Sequence, residues 1–148
     1  MINNQLAIRG LVAKSCFNRM ERKRYQFEKL EVWQQSKLLN TKLYTLTKKF
    51  PSNVDFALKS QIQRASVSIC ANIAEGTGRR KGRDQGQFYK IAYSSTIEIL
   101  NNLLLCIDNK LVDENYFLIE LNPLIERITR QLNALYKFSM NADNGIPQ

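Results

Sequence analysis

Residues 61–76, with the sequence QIQRASVSICANIAEG, form the most distinctive segment of the chain. Small and apolar residues recur there at helical spacing, and the basic sequence TGRRKGR follows directly at 77–83. This pattern predicts a closely packed helix that ends beside an anion-binding loop. Gly76 stands where a helix commonly needs a left-handed residue, so we expect the helix to end near Ala74.

Apolar residues recur at steps of three and four on both sides of this segment. One amphipathic helix is predicted over 27–49, and Pro51 ends it. The second helix follows, with Asp55 as an acid in its first turn. A third is predicted to begin near Arg83.

The helices after the basic loop carry their own start and stop signals. Asp84 and Gln87 are spaced as in a capping box at the start of the third helix. Asp113 is expected to cap a fourth helix, and Pro123 inside it predicts a kink because proline lacks the amide proton. Four helices joined by short links predict an all-α, up-down-up-down four-helix bundle.

The bundle is expected to occupy 25–138. Residues 1–24 form a basic N-terminal extension for which three interpretations remain: a disordered arm, a translation start placed too far upstream with Met20 as the true start, and a membrane-surface helix. Residues 139–148 are expected to form a disordered tail.

Composition disfavours several classes of function. The chain contains no histidine, the side chain most used for acid–base catalysis near neutral pH and for transition-metal ligation. Cys16, Cys70 and Cys106 form no close pair, which disfavours a disulfide framework or zinc site and fits a reduced, cytoplasmic setting. No apolar run is long enough to span a membrane. We therefore expect no catalytic residue, metal or cofactor.

Charge is unevenly distributed along the chain. The net charge is +9, with eighteen basic and six acidic residues in 1–90 and four basic and seven acidic residues in 91–148. A cationic half of this kind attracts polyanions and is typical of proteins that bind nucleic acid or acidic lipid.

The basic loop is the first candidate site. Arg79, Arg80, Lys81 and Arg83 lie within five positions, and the free amides of a helix N-terminus follow. The loop is not a P-loop, because Lys81 precedes Gly82 instead of following it. Two interpretations stay open, a solvated charged face and a contact with a polyanion.

A second basic cluster precedes the bundle. Arg22, Lys23 and Arg24 are followed by Tyr25 and Phe27, a combination that can contact phosphates and stack on bases. For Phe27, a position in the core is favoured over base stacking.

Five further residues are candidates for structural or subunit contacts. Asn72, Glu75 and Gly76 lie near the predicted helix end, where hydrogen bonding or subunit contact is favoured over catalysis. Glu98 is suited to an interhelical salt bridge, for which Arg64 is the suggested partner.

Three segments resemble a known family: FEKLEVW at 27–33, LYTLT at 43–47 followed by Phe50 and Pro51, and residues 61–76. They are similar to small bacterial four-helix-bundle proteins encoded in intervening sequences of 23S ribosomal RNA genes. Related bundle proteins are the accessory variability determinants of diversity-generating retroelements. The resemblance implies a homopentamer able to bind nucleic acid and, in the retroelement branch, partnership with a reverse transcriptase.

The chain also departs from that family. Cys70 stands where the family often has proline, and Gln85 and Gly86 replace apolar residues at the start of the third helix. The hypothesis is a non-enzymatic oligomeric bundle that binds structured RNA or an RNA–DNA hybrid through its backbone. The alternative is a protein-interaction scaffold, or an accessory subunit of a reverse transcriptase or another partner, with weak nucleic-acid binding.

Overall fold

The computed structural model describes residues 23–54 and 56–143, and these residues form helices and short links without any strand. A 3₁₀ turn precedes four helical rods. The turn is Phe27–Lys29. The first three helices are α1 (Glu31–Lys48), α2 (Phe56–Gly78) and α3 (Arg83–Asp108). The fourth, α4, begins as Glu114–Tyr116, passes through a π-turn at Phe117–Leu121 and continues as Asn122–Asp143. The predicted all-α fold is confirmed.

The rods pack as a closed bundle. Each helix packs on its neighbour in the chain, and α1 also packs on α4. Short links make consecutive helices antiparallel. One end of the bundle therefore combines the ends of α2 and α4 with the beginnings of α1 and α3; we call it the basic end because it carries the loop 79–82. The core is a continuous apolar cluster that includes Leu39, Ile69, Ile99 and Ile128.

The single helix predicted over 27–49 is wrong at its start. Leu30 is extended, with ψ of 127°, and separates the 3₁₀ turn from α1. Glu28 stabilises this break, because its side chain accepts a hydrogen bond from the Tyr25 amide and its carbonyl accepts one from Gln34 Nε2. The chain therefore turns where helical periodicity alone predicts continuity.

The predicted end of α2 is also wrong. Gly76 lies inside the helix, which continues to Gly78. A Cβ at position 76 would lie 2.9 Å from Tyr89 Cε1 and 3.1 Å from Phe88 Cβ. Glycine is therefore present because α3 approaches closely, not because the backbone is left-handed.

The third helix begins at Arg83 as predicted, but the capping box is wrong. The N-cap is Gly82, with φ of 113°, and it provides no side-chain cap. Asp84 already lies in the first turn, so it cannot act as the cap, although its charge there complements the helix dipole. Positive φ makes glycine the favoured residue at position 82.

The fourth helix combines a predicted cap with an irregular turn. Asp113 Oδ1 accepts a hydrogen bond from the Tyr116 amide at 2.8 Å, which confirms the N-cap. Ahead of Pro123 the Asn122 amide bonds to the Phe117 carbonyl five residues back, which forms a π-turn, and the kink at Pro123 stays a prediction.

The boundary proposed at residue 138 falls too early. The helix continues to Asp143, and the side chain of Ser139 is fully buried. The expectations for residues 1–22, for Asp55 and for 144–148 lie outside the described residues.

Candidate nucleic-acid interface

The basic loop has a defined backbone between α2 and α3. The Arg79 amide bonds to the Gly76 carbonyl at 3.2 Å, and the Gly86 amide bonds to the Gly82 carbonyl at 2.9 Å. Gly82 is buried, whereas Arg79, Arg80 and Lys81 are exposed. The link thus keeps its backbone against the bundle and presents its cationic side chains to solvent.

A buried polar network lies directly beneath this loop. Gln85 Nε2 donates to the Gly76 carbonyl at 3.0 Å, and the Ser139 hydroxyl donates to Gln85 Oε1 at 2.9 Å. Gln85 is 9% exposed and Ser139 is fully buried. Because buried polar groups are costly unless they are hydrogen-bonded, this network fixes the end of α2, the start of α3 and the end of α4 relative to one another.

Two of the four loop cations lie on aromatic rings. The Arg79 guanidinium lies 5.0 Å from the Phe88 ring centroid, and Lys81 Nζ lies 4.8 Å from that of Phe138. Arg79 also forms an ion pair with Glu75, one helical turn earlier. These contacts hold the long side chains over the surface while their charged heads stay accessible.

The predicted second cluster reaches the same end of the bundle. Lys23 and Arg24 are exposed, and the 3₁₀ turn that follows them packs against α2. Phe27 is half-buried, with its ring 5.1 Å from Trp33, so it serves as a packing residue.

Tyr25 extends this aromatic group outward. Its ring stacks on Phe27 at 6.0 Å and is largely exposed. Arg22 lies outside the described residues. The fold therefore brings Lys23 and Arg24 to the same end as Arg79, Arg80, Lys81 and Arg83.

Asn72 has a structural position within α2 rather than at its end. Its Nδ2 donates to the Ser68 carbonyl at 2.8 Å and to Ser68 Oγ at 3.1 Å. Ser68 Oγ in turn lies 2.9 Å from Ser95 Oγ on α3. Asn72 thereby stabilises a polar contact between α2 and α3.

The suggested Arg64–Glu98 salt bridge is absent. Both side chains are exposed, and no ion pair joins them. Arg64 instead lines a shallow groove between α1 and α2, beside Tyr44 and Val67. Glu75 is paired with Arg79, so it belongs to the loop surface.

The described cysteines behave as packing residues. Cys106 is buried and Cys70 is partly buried. Burial raises the pKa of the Cys70 thiol to about 11 and also raises that of Cys106. Both thiols are protonated at neutral pH, whereas the nucleophilic form is the thiolate.

The described residues offer neither a metal-binding cluster nor a membrane-spanning helix. Those residues contain no group of three or more histidine, cysteine, aspartate or glutamate side chains positioned to hold a metal ion. None of their helices is long and apolar enough to cross a lipid bilayer.

Sequence reasoning missed the network beneath the loop. Gln85 was visible as a polar residue where an apolar one is usual, but its partners lie nine residues back and 54 residues ahead. Ser139 gave no signal, because a serine near a helix end is ordinarily exposed.

The family model for 23S rRNA-intervening sequence proteins matches residues 28–134, which include α1, α2 and α3 and most of α4. The chain belongs to this family.

A solved relative shows the same fold. It is a crystal structure from Bacteroides thetaiotaomicron, described as a protein of unknown function from the S23 ribosomal protein family. The TM-score is 0.52 at 23% sequence identity, over 75% of this chain and 96% of that one. No curated protein matches this chain. The solved relative therefore supports the bundle architecture of this 23S rRNA-intervening sequence protein.

Proposed function

We propose that this chain is a non-enzymatic, oligomeric bundle that binds structured RNA or an RNA–DNA hybrid through the phosphate backbone. The single observation that carries the proposal is the convergence of two basic clusters on one end. Arg79, Arg80, Lys81 and Arg83 are separated from Lys23 and Arg24 by more than fifty residues of sequence, yet they share this end.

The support beneath the loop favours a binding surface over a merely solvated one. Gln85 and Ser139 fix the loop's flanking helices, and Phe88 and Phe138 hold two of its cations. A preordered cationic surface loses less conformational entropy when it meets a polyanion. Contacts of this kind depend on charge and shape and carry little base specificity.

Salt dependence tests the proposal. We expect replacement of Arg80, Lys81 and Arg83 by glutamine to weaken binding to an RNA duplex and to reduce the slope of log affinity against log salt by about 2–3, because fewer counterions are released. Arg79 is retained, since it pairs with Glu75. The measurement is fluorescence anisotropy at several salt concentrations.

A matched control removes the same charge elsewhere. Lys48, Lys49 and Lys110 are exposed at the opposite end, and their replacement by glutamine should leave the slope nearly unchanged. Equal effects from the two triple variants would reject the basic end as the binding surface. An RNA affinity independent of salt in the unsubstituted protein would reject backbone binding itself.

Self-association as a homopentamer is the second part of the proposal. Large apolar side chains are exposed toward the end opposite the basic loop, with Phe56 81% and Ile119 70% exposed. Leu104, Leu105 and Leu118 lie on the same half of the bundle and are about half-exposed. Other large apolar residues are exposed elsewhere, but the two most exposed aliphatic or phenyl side chains, Phe56 and Ile119, are both in this half, and exposed apolar surface of this kind is typical of a protein interface.

Sedimentation velocity tests this part. We expect a species of five chains, and we expect Ile119→Arg to dissociate it, whereas Thr41→Arg on the exposed face of α1 should not. A monomer at micromolar concentration would reject self-association.

The scaffold alternative rests on the same apolar residues, which can bind a different protein such as a reverse transcriptase. Affinity capture with and without nuclease distinguishes the two functions. A partner retained after nuclease treatment and lost with Ile119→Arg would favour the scaffold.

A further inference from the structure

A small aromatic groove lies between α3 and α4, next to the basic end. It has a volume of about 220 Å³ and is lined by Tyr89, Lys90, Tyr93, Leu132, Asn133 and Tyr136. Tyr89 and Leu132 are buried and form its floor, whereas Tyr93 and Tyr136 are partly buried and form its walls. The groove is thus apolar inside, with Lys90 and Asn133 exposed at its rim.

Gly86 lies beside the groove, where α3 and α4 pack closely. A Cβ there would lie 3.2 Å from Met140 Sδ and 3.5 Å from Tyr136 Cδ2. The Tyr136 ring of α4 therefore packs closely over Gly86 of α3. The Tyr89 ring also lies against α2, because a Cβ at Gly76 would lie 2.9 Å from Tyr89 Cε1, so this ring is held from the α2 side as well.

The rim of the groove is positively charged. Lys90 lines it from α3. Arg130 and Lys137 are exposed on α4, one turn before and one turn after Asn133, so they lie on the same side of that helix. Among the described residues, no acid forms an ion pair with Lys90, Arg130 or Lys137.

We propose that this groove binds one unpaired base of the nucleic acid whose phosphates contact the basic end. The inference rests on the proposed function and deepens it, because it adds a preference for loops, bulges or single-stranded ends. Aromatic side chains beside a cationic track are the common means of binding unpaired bases, since every base has a stacking face. The cationic rim matches the negative charge of the adjoining phosphates, and the volume suits a group the size of one base rather than a drug-sized ligand.

Three RNA probes of equal phosphate number test the groove. They are a blunt duplex, a hairpin with an unpaired loop, and the same hairpin with abasic loop nucleotides. With the unsubstituted protein, we expect the base-containing hairpin to bind about tenfold more tightly than the abasic one, the ratio that stacking of one base supplies. Equal affinity for the two hairpins would overturn the inference without any variant.

Variants then assign the effect to the groove. Tyr93→Leu and Tyr136→Leu keep an apolar side chain but remove the ring, so each should lower affinity for the base-containing hairpin to the abasic level and leave duplex binding unchanged. Tyr93→Phe should retain the preference because it keeps the ring. Tyr44→Leu is the matched control, since Tyr44 lines the groove between α1 and α2.

The outcomes separate this inference from the proposed function. Salt-dependent duplex binding without a preference for unpaired bases overturns the role of the groove and leaves the proposed function intact. Failure to bind any of the three probes overturns both. If Tyr44→Leu removed the preference for the base-containing hairpin as completely as Tyr93→Leu does, the groove between α3 and α4 would also be rejected as the base-binding site.

Discussion

Gln85 Oε1 accepts a hydrogen bond from Ser139 Oγ at 2.9 Å and so joins the first turn of α3 to the end of α4 beneath the basic loop. The amide of the same side chain donates to the Gly76 carbonyl on α2. One glutamine therefore connects three helices at the end of the bundle where the two basic clusters meet.

Removing this glutamine should destabilise the bundle. Gln85→Leu leaves the Ser139 hydroxyl without its partner on α3 and the Gly76 carbonyl without its side-chain donor, so we expect a loss of about 1–3 kcal/mol in the free energy of unfolding. Urea denaturation followed by circular dichroism measures it. Ser94→Ala is the control, because Ser94 is exposed and donates only to the Lys90 carbonyl of its own helix. A loss no larger than the control's would contradict the role assigned to Gln85.

Gly76→Ala and Gly78→Ala should have opposite effects. The added methyl at 76 meets Tyr89 and Phe88 at 3.2 Å or less, which predicts a loss of about 1–3 kcal/mol from overpacking. The methyl at 78 meets nothing within 4 Å, so Gly78→Ala should be neutral or stabilise by up to about 1 kcal/mol. Thermal unfolding of the pair measures the difference, and similar melting temperatures would show that α3 does not require glycine at 76.

The link after α3 offers a stabilising substitution. Lys110 has a φ of 57°, and the Lys110 and Leu111 amides bond to the Ile107 and Cys106 carbonyls in a Schellman motif. Lys110→Gly removes the left-handed strain and should add about 0.5–1 kcal/mol to the free energy of unfolding.

The neighbouring residue is its control. Asn109 has a φ of −84°, so Asn109→Gly gains nothing from left-handed freedom and should destabilise. The measurement is chemical denaturation of both variants. If Lys110→Gly were the less stable of the two, the left-handed strain assigned to Lys110 would be contradicted.

The raised pKa of the Cys70 thiol predicts that the protein becomes less stable at alkaline pH. Burial raises the pKa of its thiol from 9.0 to about 11, so the folded state favours the neutral form. Between these values the unfolded chain ionises first, and the stability that the neutral thiol contributes below pH 9 is lost as the pH rises toward 11.

The comparison with Cys70→Ala isolates this effect. The difference in the free energy of unfolding between the two proteins should be constant from about pH 6 to 8 and should shrink above about pH 9. A constant difference up to pH 11 would contradict the raised pKa.

Much of the fold was predictable because its signals are local. Helical periodicity located all four rods, Arg83 began the third as expected, and Asp113 capped the fourth. The two basic clusters were also visible in the sequence. Each of these features depends on residues within one or two turns of one another, so no knowledge of partners was needed.

The errors share a different origin. Gly76 carries the same sequence signal whether it ends a helix or lies against a neighbouring one, and only the position of Tyr89 decides between them. The predicted Arg64–Glu98 ion pair does not form, because the relative rotation of two helices is set by their core residues and not by their surface charges.

The amino-acid sequence alone determined that this chain forms four amphipathic helices with a cationic link between the second and third. The tertiary structure decided that the N-terminal basic residues join that link, that Gln85 and Ser139 meet beneath it, and that three tyrosines line a groove beside it. Periodicity fixes which face of a helix is buried, whereas contacts between residues distant in the chain depend on how the buried faces pack together.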